Sequence, residues 1–314
     1  MGFIRLRPLR LDAMNQPARA LSLTAFLTLL LTAMMMGANH VAARIAFASG
    51  LDVATAVASR SLITASVVGL LLWWQRVPLT LTAQHRRALP LIGLMIGLQS
   101  QCLYSAVARL PVALALLAFN TFPLWAALWD RLFYRRAPHR ALVLAMPVIL
   151  IGLGLALDIL GASSGLGAAT QWERMGVGIA FALAAAALFG SALVVTQHET
   201  PGLDGRVRTF SSMSLAGLIA LVVIGTQGGP HWPQSVSGWW GLALLTFLYG
   251  TAFTIIFTVL PRLGVAGNSA ILNVEPVFAL VLAWLILGQA IAPMQLLGAG
   301  LVVGAVVWLG LRKS

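Results

Sequence analysis

Apolar residues run along this chain in long stretches, and polar residues gather in short clusters between them. A helix needs about 20 mostly apolar residues to cross a bilayer. Read at that length, the pattern predicts ten membrane helices, at 21–43, 53–74, 88–108, 110–129, 141–159, 175–196, 209–227, 238–260, 264–287 and 293–311. The expected organisation is an N-terminal segment 1–20, a first five-helix unit 21–159, a linker 160–174, a second five-helix unit 175–311 and a tail 312–314. The linker is expected where the chain turns rich in Gly, Ser and Ala, around Gly161 to Arg174.

Composition supports the membrane reading. Of 314 residues, 60% are hydrophobic and only 9% charged. A soluble domain of this length needs more charge to cover its surface. Arginines precede the run from Leu21 to Ala43, as in a signal peptide, but the run is too long for a signal core. It reads as a retained first helix. The single cysteine, Cys102, lies in an apolar stretch and reads as a packing residue. No metal and no cofactor are expected. Gly152-Leu153-Gly154 is not a phosphate loop, because it lies in an apolar span and lacks the following lysine.

The net charge is +12. With the N-terminus in the cytoplasm, the inside segments hold Arg5, Arg7, Arg10, Arg19, Arg76, Arg86, Arg87, Arg131, Arg135, Arg136, Arg140, Arg206, Arg208, Arg262, Arg312 and Lys313. The outside segments hold Arg44, Arg109 and Arg174. Basic cytoplasmic loops account for the charge without any nucleic-acid partner. The expectation is a multi-pass protein of the inner (plasma) membrane with both termini in the cytoplasm.

A repeat runs at an offset of 153 residues, from Arg109 to Arg262. The same offset carries Asn120 to Asn273, Pro123 to Pro276, Ala126 to Ala279, Gly37 to Gly190 and Gly97 to Gly250. Five helices per half is an odd number, so the second half enters the membrane inverted. The expected fold is therefore an all-α polytopic membrane protein of ten helices in two inverted five-helix repeats, a transporter architecture.

Met36-Gly37-Ala38-Asn39, Arg60 and the segment Asn268 to Ala279, followed by Trp284-Leu285-Ile286-Leu287-Gly288, resemble the drug/metabolite transporter superfamily, in particular its EamA-type members. The resemblance implies ten helices, export of small metabolites or drugs, and a cavity lined by helices 1–4 and 6–9. One departure stands out. The acid that usually closes the proline-bearing helix of each half is replaced by Gln289 and, approximately, Arg136.

Pro123 and Pro276 are expected to break their helices and free the carbonyls of Phe119 and Leu272. Asn120 and Asn273 place amides beside the breaks, which read as a substrate site or hinge, or as a static kink. Glu275 is an acid inside a span, where a charge costs about 2.5 kcal/mol or more. It reads as a proton or cation site, or as a structural carboxyl hydrogen-bonded to Asn or Tyr. Asn268 shares its helical stripe. Arg60 in helix 2 either pairs with Glu275, binds a substrate carboxylate, or snorkels outward. Asn39 and His40 could line the same mouth, and Gln99, Gln101 and Tyr104 offer hydrogen bonds from helix 3. Trp73, Trp74, Trp239 and Trp240 are expected as interfacial anchors. Gly298, Gly300 and Gly304 suggest close packing within the chain, or a homodimer contact.

The expected function is a transporter exporting a small amino-acid-like or drug-like substrate by alternating access, with proton coupling as an option. It is not expected to be an enzyme. A lipid-modifying enzyme would need clustered acids and histidines, and a sensor or scaffold would not need matched polar breaks in both halves.

Overall fold

The computed structural model describes residues 23–136, 140–158, 167–255, 274–289 and 292–312. Among them every regular element is a helix: α1 (Leu23–Ala48), α2 (Val53–Trp74), α3 (Ala83–Arg109), α4 (Val112–Phe119), α5 (Phe122–Tyr134), α6 (Arg140–Ala156), α7 (Ala168–Glu199), α8 (Gly205–Thr226), α9 (Val236–Thr254), α10 (Glu275–Leu287) and α11 (Pro293–Arg312). Seven described stretches are long and apolar enough to cross a bilayer, with α4 and α5 together forming one, Val112–Tyr134. Shorter apolar helices lie at Val143–Ala156, Glu275–Leu287 and Pro293–Trp308.

Side-chain caps start several helices. Asp52 accepts the Thr55 N–H at the start of α2, Thr82 accepts the His85 N–H at α3, and Ser235 accepts the Gly238 N–H at α9. These satisfy donors that the first turn leaves unpaired. Helix α7 begins at Ala168, within the expected linker, because its apolar pattern is preceded by residues that are themselves tolerated in a helix.

The expected fourth span is broken in two. Helix α4 ends at Phe119, and Thr121 precedes α5. Pro123 sits in the first turn of α5, where its missing N–H costs nothing. It therefore opens a new helix instead of kinking a continuous one. The Asn120 N–H and Nδ2 both donate to the Leu116 carbonyl, at 2.9 and 2.8 Å, and Thr121 Oγ1 donates to the Ala118 carbonyl at 2.8 Å. The side chains at the break thus donate back into α4.

The repeat persists in backbone geometry. Adding 153 to the bounds of α5 gives those of α10. Arg135 (φ 56°) ends α5 in the left-handed region, and Gly288 (φ 62°) ends α10 in the same way. Helix α1 packs on α9 and α10, and α7 packs on α3 and α5; α2 packs on α8, and α6 on α11. Under the repeat, α1 corresponds to α7, α3 to α9 and α5 to α10, so these contacts are related pairs.

Close approaches repeat too. A Cβ on Gly37 would lie 2.9 Å from Ala279 N and 3.0 Å from Glu275 O. A Cβ on Gly190 would lie 2.7 Å from Ala126 N and 2.9 Å from Phe122 O. All four partners are related by the 153-residue offset. Gly298 likewise approaches Gly152 O, whereas Gly300 and Gly304 meet nothing within 4 Å.

One apolar core joins the halves. The buried α4 residues Val112 to Ala118 pack with Ile149, Leu153, Ile179, Ala182, Ala279 and Val302. At one end of the bundle lie Arg76, Arg86, Arg87, Arg131, Arg135, Arg136, Arg206 and Arg208, since Gln84, Tyr134 and Glu199 are bonded together there and Arg206 donates to Gln75. At the other end the α1–α2 and α8–α9 connections interlock. The Gln234 N–H donates to the Ser49 carbonyl at 2.7 Å, and the His231 N–H donates to Asp52 Oδ2 at 2.9 Å. Trp73, Trp74, Trp239 and Trp240 are exposed near helix ends, as interfacial anchors are.

Candidate functional site

Helix α2 turns a buried stripe of Val57, Arg60, Ser61, Thr64, Ala65 and Val68 into the bundle. Arg60 is only 3% exposed, so it does not reach the surface. Its guanidinium lies over two rings, 4.4 Å from the Tyr104 centroid on α3 and 4.0 Å from the Tyr249 centroid on α9. Cation–π contacts of this kind contribute roughly 0.5–2 kcal/mol each. Among the described residues no carboxylate lies within ion-pair distance of Arg60.

Tyr104 is fully buried, and its hydroxyl donates to Asn39 Oδ1 at 2.8 Å. The His40 ring lies 5.6 Å from the Tyr104 ring, and Phe47 meets Tyr104 edge-on. His40 Nε2 lies 3.3 Å from Glu275 Oε1. That contact joins α1 of the first half to the first turn of α10 in the second. The carboxylate at the α10 N-terminus also faces the positive end of that helix dipole. Glu275 is therefore bridged by His40, and Arg60 is held by aromatic faces.

Five buried polar atoms of this region have no hydrogen-bond partner among the described residues: Asn39 Nδ2, His40 Nδ1, Arg60 Nε, Ser61 Oγ and Thr64 Oγ1. Buried polar groups are nearly always paired. Asn39 and His40 stand on α1 and Arg60, Ser61 and Thr64 on α2, so both helices carry unused hydrogen-bonding capacity. Arg60 of the first half and Glu275 of the second bring opposite charges to the same polar and aromatic cluster.

Gln99 is buried on α3, with Ser100 Oγ donating to its Oε1 at 3.4 Å. Asn120 spends its amide on Leu116 in the α4–α5 break. Asn268 and Asn273 fall outside the described residues. Pro276 is buried in the first turn of α10, matching Pro123 in α5. Tyr249, Ser61 and Thr64 were not anticipated from the sequence. Tyr249 was legible in one respect only, since the chain has just three tyrosines and two of them hold Arg60.

Gln289, which stands where an acid was expected, accepts the Val112 N–H at 3.1 Å. It thereby caps the first turn of α4 from the other half. Among the described residues, no group of three or more His, Cys, Asp or Glu is arranged to hold a metal.

Comparison with known proteins places this geometry. A solved crystal structure superposes with a TM-score of 0.57 at 18% identity, covering 92% of this chain and 98% of that one, which shows a shared fold. The threonine/homoserine exporter RhtA of Escherichia coli K12 is 24% identical over 239 residues, 73% of each chain. The protein of the same name from Escherichia coli O157:H7 matches to the same extent. The sequence pattern of the EamA-like transporter family matches residues 23–157 and then matches again over residues 176–311. A pattern met twice in one chain agrees with the related helix pairs, and the chain belongs to the EamA-like transporter family.

Proposed function

We propose that this protein exports a small zwitterionic, amino-acid-like metabolite from the cytoplasm across the plasma membrane by alternating access. The observation that carries the reading is Arg60, a buried guanidinium without an acid partner among the described residues, in a cluster to which the other half brings the carboxylate of Glu275. Arg60 would receive a substrate carboxylate, and Glu275 with His40 would face its ammonium group. The similarity to threonine/homoserine exporters supports that substrate class.

In this reading the chain crosses the membrane ten times as two inverted five-helix halves, 21–159 and 175–311, joined by a linker at 160–174. The arginine-rich end is cytoplasmic, as are both termini. The halves rearrange around the buried cluster, with the α4–α5 and α10 helix starts as hinges. Glu275 is the candidate for proton coupling, since an ionisable group at this depth is expensive unless it is paired or protonated. The protein is a transporter and not an enzyme.

The test is counterflow of radiolabelled threonine or homoserine in proteoliposomes. Arg60→Gln should remove it, while the corresponding amines, which lack the carboxylate, should compete poorly with the wild type. Equal competition by an amine and its parent amino acid would refute the assigned role of Arg60.

A further inference from the structure

A second polar cluster, at the arginine-rich end, takes no part in the buried site. Helix α5 brings Asp130 and Tyr134, α7 brings His198 and Glu199, and α3 brings Gln84. His198 Nε2 lies 2.8 Å from Asp130 Oδ1. The Tyr134 hydroxyl donates to Glu199 Oε1 at 2.7 Å, and Gln84 Nε2 donates to Glu199 Oε2 at 2.9 Å. The Tyr134 and His198 rings stack at 3.9 Å. The cluster binds its members to one another and leaves little capacity for a ligand.

Its position in the repeat gives it meaning. The α5–α7 interface is the counterpart of the α1–α10 interface. Each has a glycine seated on the first turn of its partner, Gly190 on Phe122 and Gly37 on Glu275. Each also has a histidine–carboxylate contact between the halves, His198–Asp130 in one and His40–Glu275 in the other. The two contacts differ in level. His40 lies three residues beyond its glycine, whereas His198 lies eight beyond, about 12 Å along the helix. One contact is at the buried site, and the other is at the arginine-rich end. Trp129 Nε1 donates to the Ala187 carbonyl at 3.0 Å and holds α5 to α7 below that contact.

We infer that Gln84, Asp130, Tyr134, His198 and Glu199 form a gate across the arginine-rich end, closed in this structure, whose hydrogen bonds must part for the buried site to open there. This rests on the transport reading. The bonds cross between halves, since α3 and α5 belong to the first and α7 to the second, so relative movement of the halves must break them.

The experiment uses the full chain with Cys102→Ser and a reporter, Ser191→Cys. Ser191 is buried on α7, within 3.4 Å of Met95 Sδ on α3, deeper than His198. Labelling by a membrane-impermeant maleimide is followed in inside-out vesicles. Asp130→Asn with Tyr134→Phe should raise the labelling rate at least tenfold, and an unchanged rate overturns the gate. Tyr134→Phe and Glu199→Gln, tested singly, remove one hydrogen bond each, so they keep the question open to refutation if the double variant does not fold. Each should raise labelling about threefold, and no rise in either again overturns the gate. Absence of amino-acid flux in the parent protein would sink the transport reading while leaving the labelling result to decide the gate.

Discussion

A guanidinium in the bilayer interior costs about 2.5–3.5 kcal/mol even on the mildest scales. Arg60 is buried in the bundle between tyrosine faces, which offset part of such a cost without neutralising its charge. Arg60→Gln is therefore expected to leave the fold intact while reducing substrate counterflow by at least tenfold, and Arg60→Lys should recover little, because an ammonium lacks the planar fork that grips a carboxylate. Measured flux close to that of the wild type in either variant would show that the charge is structural. Glu275 supplies a separate test. Glu275→Gln keeps the shape of the side chain and removes its titration, so flux driven by a pH gradient should disappear while exchange without a gradient persists. A gradient-driven flux that survives the change would exclude Glu275 as the coupling group.

Between elements, the narrowest tolerances lie at the paired glycines. A methyl group on Gly37 or Gly190 would meet backbone atoms closer than 3.0 Å, and backbone cannot rotate away as a side-chain end can. Gly37→Ala and Gly190→Ala should each destabilise the folded protein by about 1–3 kcal/mol, seen as an earlier loss of monodisperse protein on heating in detergent. Equal stability of the alanine variants would mean that the interfaces relax freely. A different prediction concerns the α8 cap. Asp204 accepts from the Arg206 N–H at 2.8 Å and pairs with the Arg206 guanidinium at 2.6 Å. The guanidinium holds the Asp204 carboxyl below its ordinary value. A group whose folded value is depressed stabilises above its unfolded value, near pH 4, and loses that contribution as pH falls through the folded value. Asp204→Asn should therefore melt earlier than the wild type at pH 6, with the gap closing below about pH 4. A gap that stays constant with pH would show that the cap, and not the charge, carries the effect.

At the scale of the molecule, the placement of arginine predicts that a reporter fused after Ser314 labels as cytoplasmic, and an external signal would reverse the assigned orientation. Much of this level was legible in the chain. The 153-residue offset anticipated the matching bounds of α5 and α10, and it placed Gly37 and Gly190 in related positions before any contact was known. What the pattern could not supply was convergence. Tyr104 and Tyr249 stand 145 residues apart, off the repeat, and meet only because α3 and α9 both face α2. The Pro123 and Asn120 pair read as a substrate site or hinge, or as a static kink, and the pattern could not show that the amide of Asn120 reaches back to the Leu116 carbonyl. Gln289 read as a missing acid, but its carbonyl oxygen caps α4, a role that needs an acceptor and no charge.

The two halves differ at the first turn of the paired helices α5 and α10. Where the second half starts α10 with Glu275 facing His40, the first half starts α5 with Phe122, whose ring packs at 5.8 Å from Phe119 and 5.1 Å from Phe189. The consequence is one of stoichiometry. If the carboxyl at this level carries protons, a duplicated scaffold still offers a single carrier per turnover, and the cargo leaving each cycle is balanced against one proton rather than two. Phe122→Glu would then be the substitution that alters the exchange ratio, readable as a shift in the reversal potential of substrate flux.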